Sequence, residues 1–188
     1  LKAMNGSPKG LLLRGFSSLP SLPNFNSSYK LKSVAIASYP MYKGIAELMG
    51  MDTIKGLNSF QEEINALKSK FSEYDFFFLH YKPADSAGED SDFKRKIKAL
   101  EDLDSYLEQI IDMNPDVLVV CGDHSTPSYM GSHSWHPVPF LVKSKYSQPN
   151  NGVFTEKSCM HSELGSIKAK ELMFNVLAHA DKLSKFGP

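Results

Sequence analysis

Short runs of consecutive apolar residues alternate along this chain with longer stretches in which apolar residues return every three or four positions. The first pattern marks strands buried in a sheet and the second marks amphipathic helices. Ser33-Val-Ala-Ile-Ala-Ser38 predicts a small strand, and Tyr42 to Met49 a short helix stopped by Gly50. Ser59 opens the next helix as a cap, with Glu62 three residues on as its capping-box partner. Phe60, Ile64, Leu67 and Phe71 recur at helical spacing until about Ser72. Asp75 to His80 is again a strand. A long helix spans about Ser91 to Met113, with Phe93, Ile97, Leu100, Leu103, Leu107 and Ile110 on one face, and Asn114-Pro115 breaks it. The mostly β-branched run Val117 to Val120 predicts a strand covered on both faces. A further strand ends at Val142, Lys143 to Gly152 has turn composition, and a last helix covers about Ser162 to Leu177. Helices between successive strands predict an α/β domain with a mainly parallel sheet.

Residues 15 to 30 are rich in Ser, Pro and Asn, and residues 1–30 read as a connector, leaving 31–188 as the folded part. The first residue is Leu, so the chain reads as cut from something longer. With 188 residues, 41% of them hydrophobic, the chain can bury one sizeable core. Its 21 basic residues match 21 acidic ones, which argues against a nucleic-acid partner. The apolar runs fall far short of a membrane span and no export signal opens the chain, so the expected location is the cytoplasm, without membrane contact. The two cysteines, Cys121 and Cys159, offer no disulfide framework and are expected to be reduced. The charges Lys94-Arg95-Lys96 and Glu101-Asp102 read as the solvated side of the long helix.

The chemistry gathers where strands end. Gly122 frees the backbone after the Val117 strand, and Asp123 and His124 follow at once, an oxygen and a nitrogen donor suited to a divalent ion. Past the Asp75 strand lies Lys82-Pro-Ala-Asp-Ser-Ala-Gly-Glu-Asp90, where Asp85 and Glu89 are four apart and share a face if a helical turn begins there. Taken alone, that pair also fits acidic residues complementing a helix amino terminus. Ser132-His-Ser-Trp-His-Pro-Val-Pro139 supplies a third polar loop. In it Trp135 reads as packing and His136 as a surface or supporting group. His161 reads the same way, and His179 as peripheral.

His80-Tyr-Lys-Pro-Ala-Asp-Ser-Ala-Gly-Glu-Asp90, Gly122-Asp-His-Ser-Thr-Pro127 and His133-Ser-Trp-His-Pro-Val-Pro139, in that order, resemble the carboxyl-terminal half of archaeal-type, cofactor-independent phosphoglycerate mutase, of the alkaline phosphatase superfamily. Leu11-Leu-Leu-Arg-Gly15 and Tyr42-Lys-Gly44 also resemble stretches of it, so the likeness spans most of the chain. It implies a three-layer αβα fold with a mostly parallel sheet, alkaline-phosphatase-like and here incomplete. It also implies two divalent metal ions, manganese or magnesium, with zinc as a third choice. Asp85, Glu89 and His133 would hold one. Asp123 and His124 would hold the other, together with an Asp and a Ser or Thr nucleophile from an amino-terminal part that these residues do not contain. Glu89 stands where the family has His, a replacement that oxygen-loving ions accept.

The implied reaction interconverts 3-phosphoglycerate and 2-phosphoglycerate in glycolysis through a phosphoenzyme. Arg14, Lys43 and Lys82 would bind the substrate's phosphate and carboxylate, and this chain alone would be inactive for want of the nucleophile. Two other readings stay open: a metal-dependent phosphatase or phosphodiesterase of the same superfamily, or a metal-binding fragment without turnover.

Overall fold

The computed structural model describes Leu13 and residues 15–148, 152–162 and 164–183; Arg14 lies outside them. Three strands form a parallel sheet in the order β2-β1-β3: β1 (Ser33–Ile36) pairs with β2 (Asp52–Thr53) and with β3 (Phe76–Leu79). In the register Val34 lies beside Asp52 on one side and Phe77 on the other. A separate antiparallel pair joins β4 (Val117–Cys121) to β5 (Phe140–Ser144). The mainly parallel sheet is therefore present, but β4 is not hydrogen-bonded into it among the described residues.

The alternation of side chains along β1 sorts the helices into two layers. Val34 and Ile36 face α3 (Phe60–Lys70) and α5 (Phe93–Ile111), packing with Ile64, Leu67 and Ile110. Ala35 faces the other way, toward Phe25 of α1 (Phe25–Tyr29), Ala46 of α2 (Pro40–Leu48), Met51 just past α2, and Leu177 of α7 (Ala169–His179). A strand packed on both sides by helices can be apolar at every position, and all four β1 residues are buried. Among the described residues no helix is long and apolar enough to cross a membrane.

Several local expectations are corrected. The supposed connector contains α1, because Asn24 caps Ser27 N–H at 2.9 Å and Phe25 finds a core to enter. α2 begins at Pro40, which needs no amide partner at a first helical position. Ser59 caps α3 as read, but Glu62 accepts from Asn58 N–H at 2.6 Å instead of closing the box on Ser59. The last helix, α7, begins at Ala169 rather than near Ser162, with Gly165 at positive φ in the stretch before it, and a short helix, α6 (Glu156–Met160), precedes it where none was read. The apolar face of α5 is buried only in its second half: Phe93 is 67% and Leu100 50% exposed. β4, read as covered on both faces, is half-buried with Cys121 exposed, since helices cover it less fully than β1. Both cysteines are free.

Candidate metal centre

Each strand that ends near the site hands its chain to a turn that aims one donor inward. After β3 the chain enters α4 (Pro83–Glu89), with Pro83 at its first turn and Asp85 where a carboxylate meets free amides. Asp85 and Glu89 thus share a face of one short helix. After β4, Gly122 packs its bare α-carbon against Val138, and Asp123 and His124 follow. The His133 loop is fastened to that turn by a single antiparallel bridge, Ser134 N–H to Ser125 C=O at 2.9 Å. That bridge sets the two imidazoles side by side, with ring centroids 3.8 Å apart.

The result is a cluster in which donor atoms of Asp85, His124 and His133 all lie within 4.8 Å of one another. His133 Nε2 is 3.6 Å from Asp85 Oδ1 and 3.4 Å from Glu89 Oε1. His124 Nδ1 is 3.9 Å from Asp85 Oδ1, and its Nε2 is 3.5 Å from Asp123 Oδ2. His124 therefore bridges two groups that the sequence reading had kept apart: the Asp85, Glu89, His133 set and the Asp123 set.

Asp85 is mostly buried and well tied down. Thr126 Oγ1 donates to its Oδ1 at 2.5 Å, and Lys82 Nζ donates to its Oδ2. Burial pushes the Asp85 carboxyl up, but the Lys82 and Thr126 bonds outweigh it and leave the acid below its ordinary range. Asp123 behaves alike: burial raises it, while the Tyr42 hydroxyl and His124 more than compensate. Both carboxylates are thus ionised, as ligands to a cation must be. One carboxylate and two imidazoles converging on a small volume fit a divalent transition metal, with oxygen donors from Glu89 and Asp123 nearby.

The predicted substrate cations fare differently. Lys82 is engaged by Asp85, stands 3.9 Å from Glu89, and lies over the Tyr39 ring at 5.2 Å. Lys43 is half-buried on α2, close enough to Glu63 to bias its ionisation. Trp135, read as packing, is 82% exposed and stacks on His136. His179 accepts or donates to Ser144 Oγ at 2.6 Å, supporting β5.

Three contributors went unassigned in the sequence reading. Thr126, 4% exposed, links Asp85 and His124 through one hydroxyl. Lys96, read as solvated, reaches the Thr126 carbonyl at 2.5 Å and so pins that loop to α5. Tyr42 bonds Asp123. All sit inside or next to quoted motifs, but a Thr or Tyr in a loop carries no spacing signal that marks it as a ligand's partner.

This arrangement, an α/β sheet with a carboxylate and imidazole cluster at its strand ends, is of the kind that could hold a metal ion. A profile described as "Metalloenzyme superfamily" matches residues 2–179, and the chain belongs to that superfamily. It is 49% identical over 177 residues to a protein of Thermotoga maritima named probable 2,3-bisphosphoglycerate-independent phosphoglycerate mutase, covering 94% of this chain and 44% of that protein. The like-named protein of Aquifex aeolicus is 45% identical over 188 residues, 98% of this chain and 46% of its own length. The chain thus spans less than half the length of these curated relatives. Among solved structures it resembles the PH0037 protein from Pyrococcus horikoshii with a TM-score of 0.82 and 28% identity, over 88% of this chain and 54% of that one. A cofactor-independent phosphoglycerate mutase from Thermoplasma acidophilum shares the fold, at TM-score 0.64 and 20% identity, over 86% of this chain and 39% of that one.

Proposed function

We propose that this chain is the carboxyl-terminal part of a cytoplasmic enzyme that interconverts 3-phosphoglycerate and 2-phosphoglycerate without a bisphosphoglycerate primer. The observation that carries the reading is the convergence of Asp85, His124 and His133, in a chain nearly half identical along its length to proteins named for that reaction. Asp85, His124 and His133 would hold one divalent ion, with Glu89 beside it, and Asp123 would contribute to a second. When bound, such ions supply positive charge that draws electrons from a phosphoryl group and favours the ionised form of a nearby hydroxyl.

The chain's own residues do the rest of what falls to it. Lys82 neutralises the carboxylates of α4. Lys43 and Arg14 are the proposed partners of the substrate's phosphate and carboxylate. Thr126 holds Asp85 and His124 in mutual register, so the donors need little rearrangement on binding. The phosphoryl group would leave the 3-oxygen for a Ser or Thr hydroxyl supplied from outside these residues, then pass to the 2-oxygen. The P–O3 bond breaks as the enzyme ester forms. The proton given up by the enzyme hydroxyl balances the one taken by the released 3-hydroxyl, and the second half reverses the exchange at the 2-position.

The test is an enolase-coupled assay of the full-length protein on 3-phosphoglycerate, run beside hydrolysis of p-nitrophenyl phosphate. Isomerisation that EDTA abolishes and 2,3-bisphosphoglycerate does not stimulate is expected, with the 188-residue chain alone inactive. Ester hydrolysis without isomerisation would establish the phosphatase reading instead.

A further inference from the structure

One side chain outside the donor set ties the two sheets together. Tyr42 stands near the start of α2, on the side of the parallel sheet, and its hydroxyl donates to Asp123 Oδ2, just past β4. The other Asp123 oxygen, Oδ1, accepts the His124 amide at 3.0 Å. Both oxygens of this carboxylate are therefore engaged, one by its own loop and one across the gap between sheets. Asp85 is the second carboxylate held in this way, but its cross-link runs through Thr126 on the β4 side.

Tyr42 is itself held by a ring platform. Its ring stacks on His80 with centroids 3.8 Å apart and planes at 29°, and lies 6.1 Å from Phe78 at 30°. Phe78 and His80 are two apart at the end of β3, so their rings fall on one face, 6.4 Å apart and nearly parallel. His80 Nδ1 is buried without a hydrogen-bond partner among the described residues, so on this face the imidazole serves through its ring plane. A phenol clamped between a flat platform and a carboxylate has little rotational freedom, and an outer-shell partner of this kind fixes where a ligand points.

We infer that Tyr42, seated on Phe78 and His80, is a positioning residue that orients Asp123 toward its cation. The inference rests on Asp123 belonging to the metal-holding set, and the experiment separates the two. Mn²⁺ binding to the full-length protein is followed by electron paramagnetic resonance and calorimetry for wild type, Tyr42→Phe, His80→Phe, His80→Ala and Asp123→Ala.

Tyr42→Phe keeps the ring stack and removes only the hydroxyl. It is expected to weaken one Mn²⁺ site by about 10- to 100-fold, the span typical of outer-shell partners, while the other site and the thermal midpoint hold. His80→Phe preserves a flat platform and should keep affinity within about twofold, whereas His80→Ala should lose about tenfold at the same site. A merely structural tyrosine would move the melting midpoint and both sites together. If Asp123→Ala loses a site and Tyr42→Phe binds like wild type, the positioning role is overturned while the metal reading stands. If Asp123→Ala itself binds like wild type, the reading of Asp123 as a ligand falls, and with it the basis of this inference.

Discussion

The two sheets meet at one site but are built on different terms. In β1 every residue is buried, with Ala35 and Ile36 at 0% exposure, and helices close both of its faces. In β4 and β5 no residue reaches that burial, and Leu141 is 36% exposed. Yet Asp123 and His124 come from the less buried half and Asp85 from the more buried one. The donors are therefore aligned less by a shared sheet than by side-chain ties across the junction: Thr126 to Asp85, Tyr42 to Asp123, Lys96 to the Thr126 carbonyl. A site of this kind can lose its geometry without the core losing its fold.

The largest expected effect tests the burial contrast directly. Ile64, 0% exposed between α3 and β1, loses a well-packed side chain in Ile64→Ala, which should cost about 4 kcal/mol of unfolding free energy. Leu141→Ala on β5 should cost about 1 kcal/mol or less, because water already reaches that side chain. Urea denaturation of both variants measures the difference, and equal losses would mean that β5 is packed in solution as tightly as β1.

Next in size is a pH effect confined to the buried half. Glu63 on α3 is 1% exposed; its Oε1 accepts Ser38 N–H at 2.7 Å just past β1, and its Oε2 has no hydrogen-bond partner among the described residues. Burial raises its carboxyl to about 7, against smaller opposing pulls from Ser38 and Lys43. In the unfolded chain it titrates near the ordinary value of 4.5. Below that pH both states carry the neutral acid, and the folded state incurs no penalty. As pH rises from there to about 7 only the unfolded state ionises, so stability falls, levelling off about 3 kcal/mol lower. Glu63→Gln keeps an acceptor for Ser38 and cannot ionise. It should match wild type at pH 4.5 and exceed it by up to about 3 kcal/mol at pH 8, read from denaturation midpoints across that range. A constant difference between the two proteins at all pH values would show that Glu63 is not held neutral.

The same contrast marks what was legible in the sequence. Elements with strong periodicity and local caps were readable: β1, α3 with Ser59, and the Asn114 stop of α5 all follow from neighbouring residues. The placement of the candidate ligands was readable as well, since Asp85, Asp123, His124 and His133 each stand just beyond a strand or in a polar loop. Their grouping was not. His124 joins Asp85 and His133 because Ser125 and Ser134 pair across two loops, a contact nine residues apart that no repeat announces. The half-exposed β4 also defeated the reading, because an apolar β-branched run looks the same whether one face or both are covered. On α5 the apolar stripe continued through Phe93, Ile97 and Leu100, although only the later turns meet the core.

The smallest effect on stability is also the one most telling for the junction. Gly88 lies in α4, and a β-carbon there would fall inside van der Waals contact with the Thr126 carbonyl oxygen and press on its methyl and β-carbon. The carbonyl is backbone and is also the acceptor for Lys96, so it cannot swing aside as a flexible side-chain tip would. Gly88→Ala gains about 1 kcal/mol of helix propensity and loses about 1–3 kcal/mol to overpacking against a backbone atom. The net result should be a loss of up to about 2 kcal/mol of unfolding free energy. Thr126, however, must shift relative to α4, and its hydroxyl is what holds Asp85 and His124 together. Cation affinity at the Asp85 site should fall about tenfold. Calorimetric titration with Mn²⁺ beside a urea melt of the same sample measures both. Unchanged affinity in a variant that still folds would show that Thr126 does not set the register of the donors.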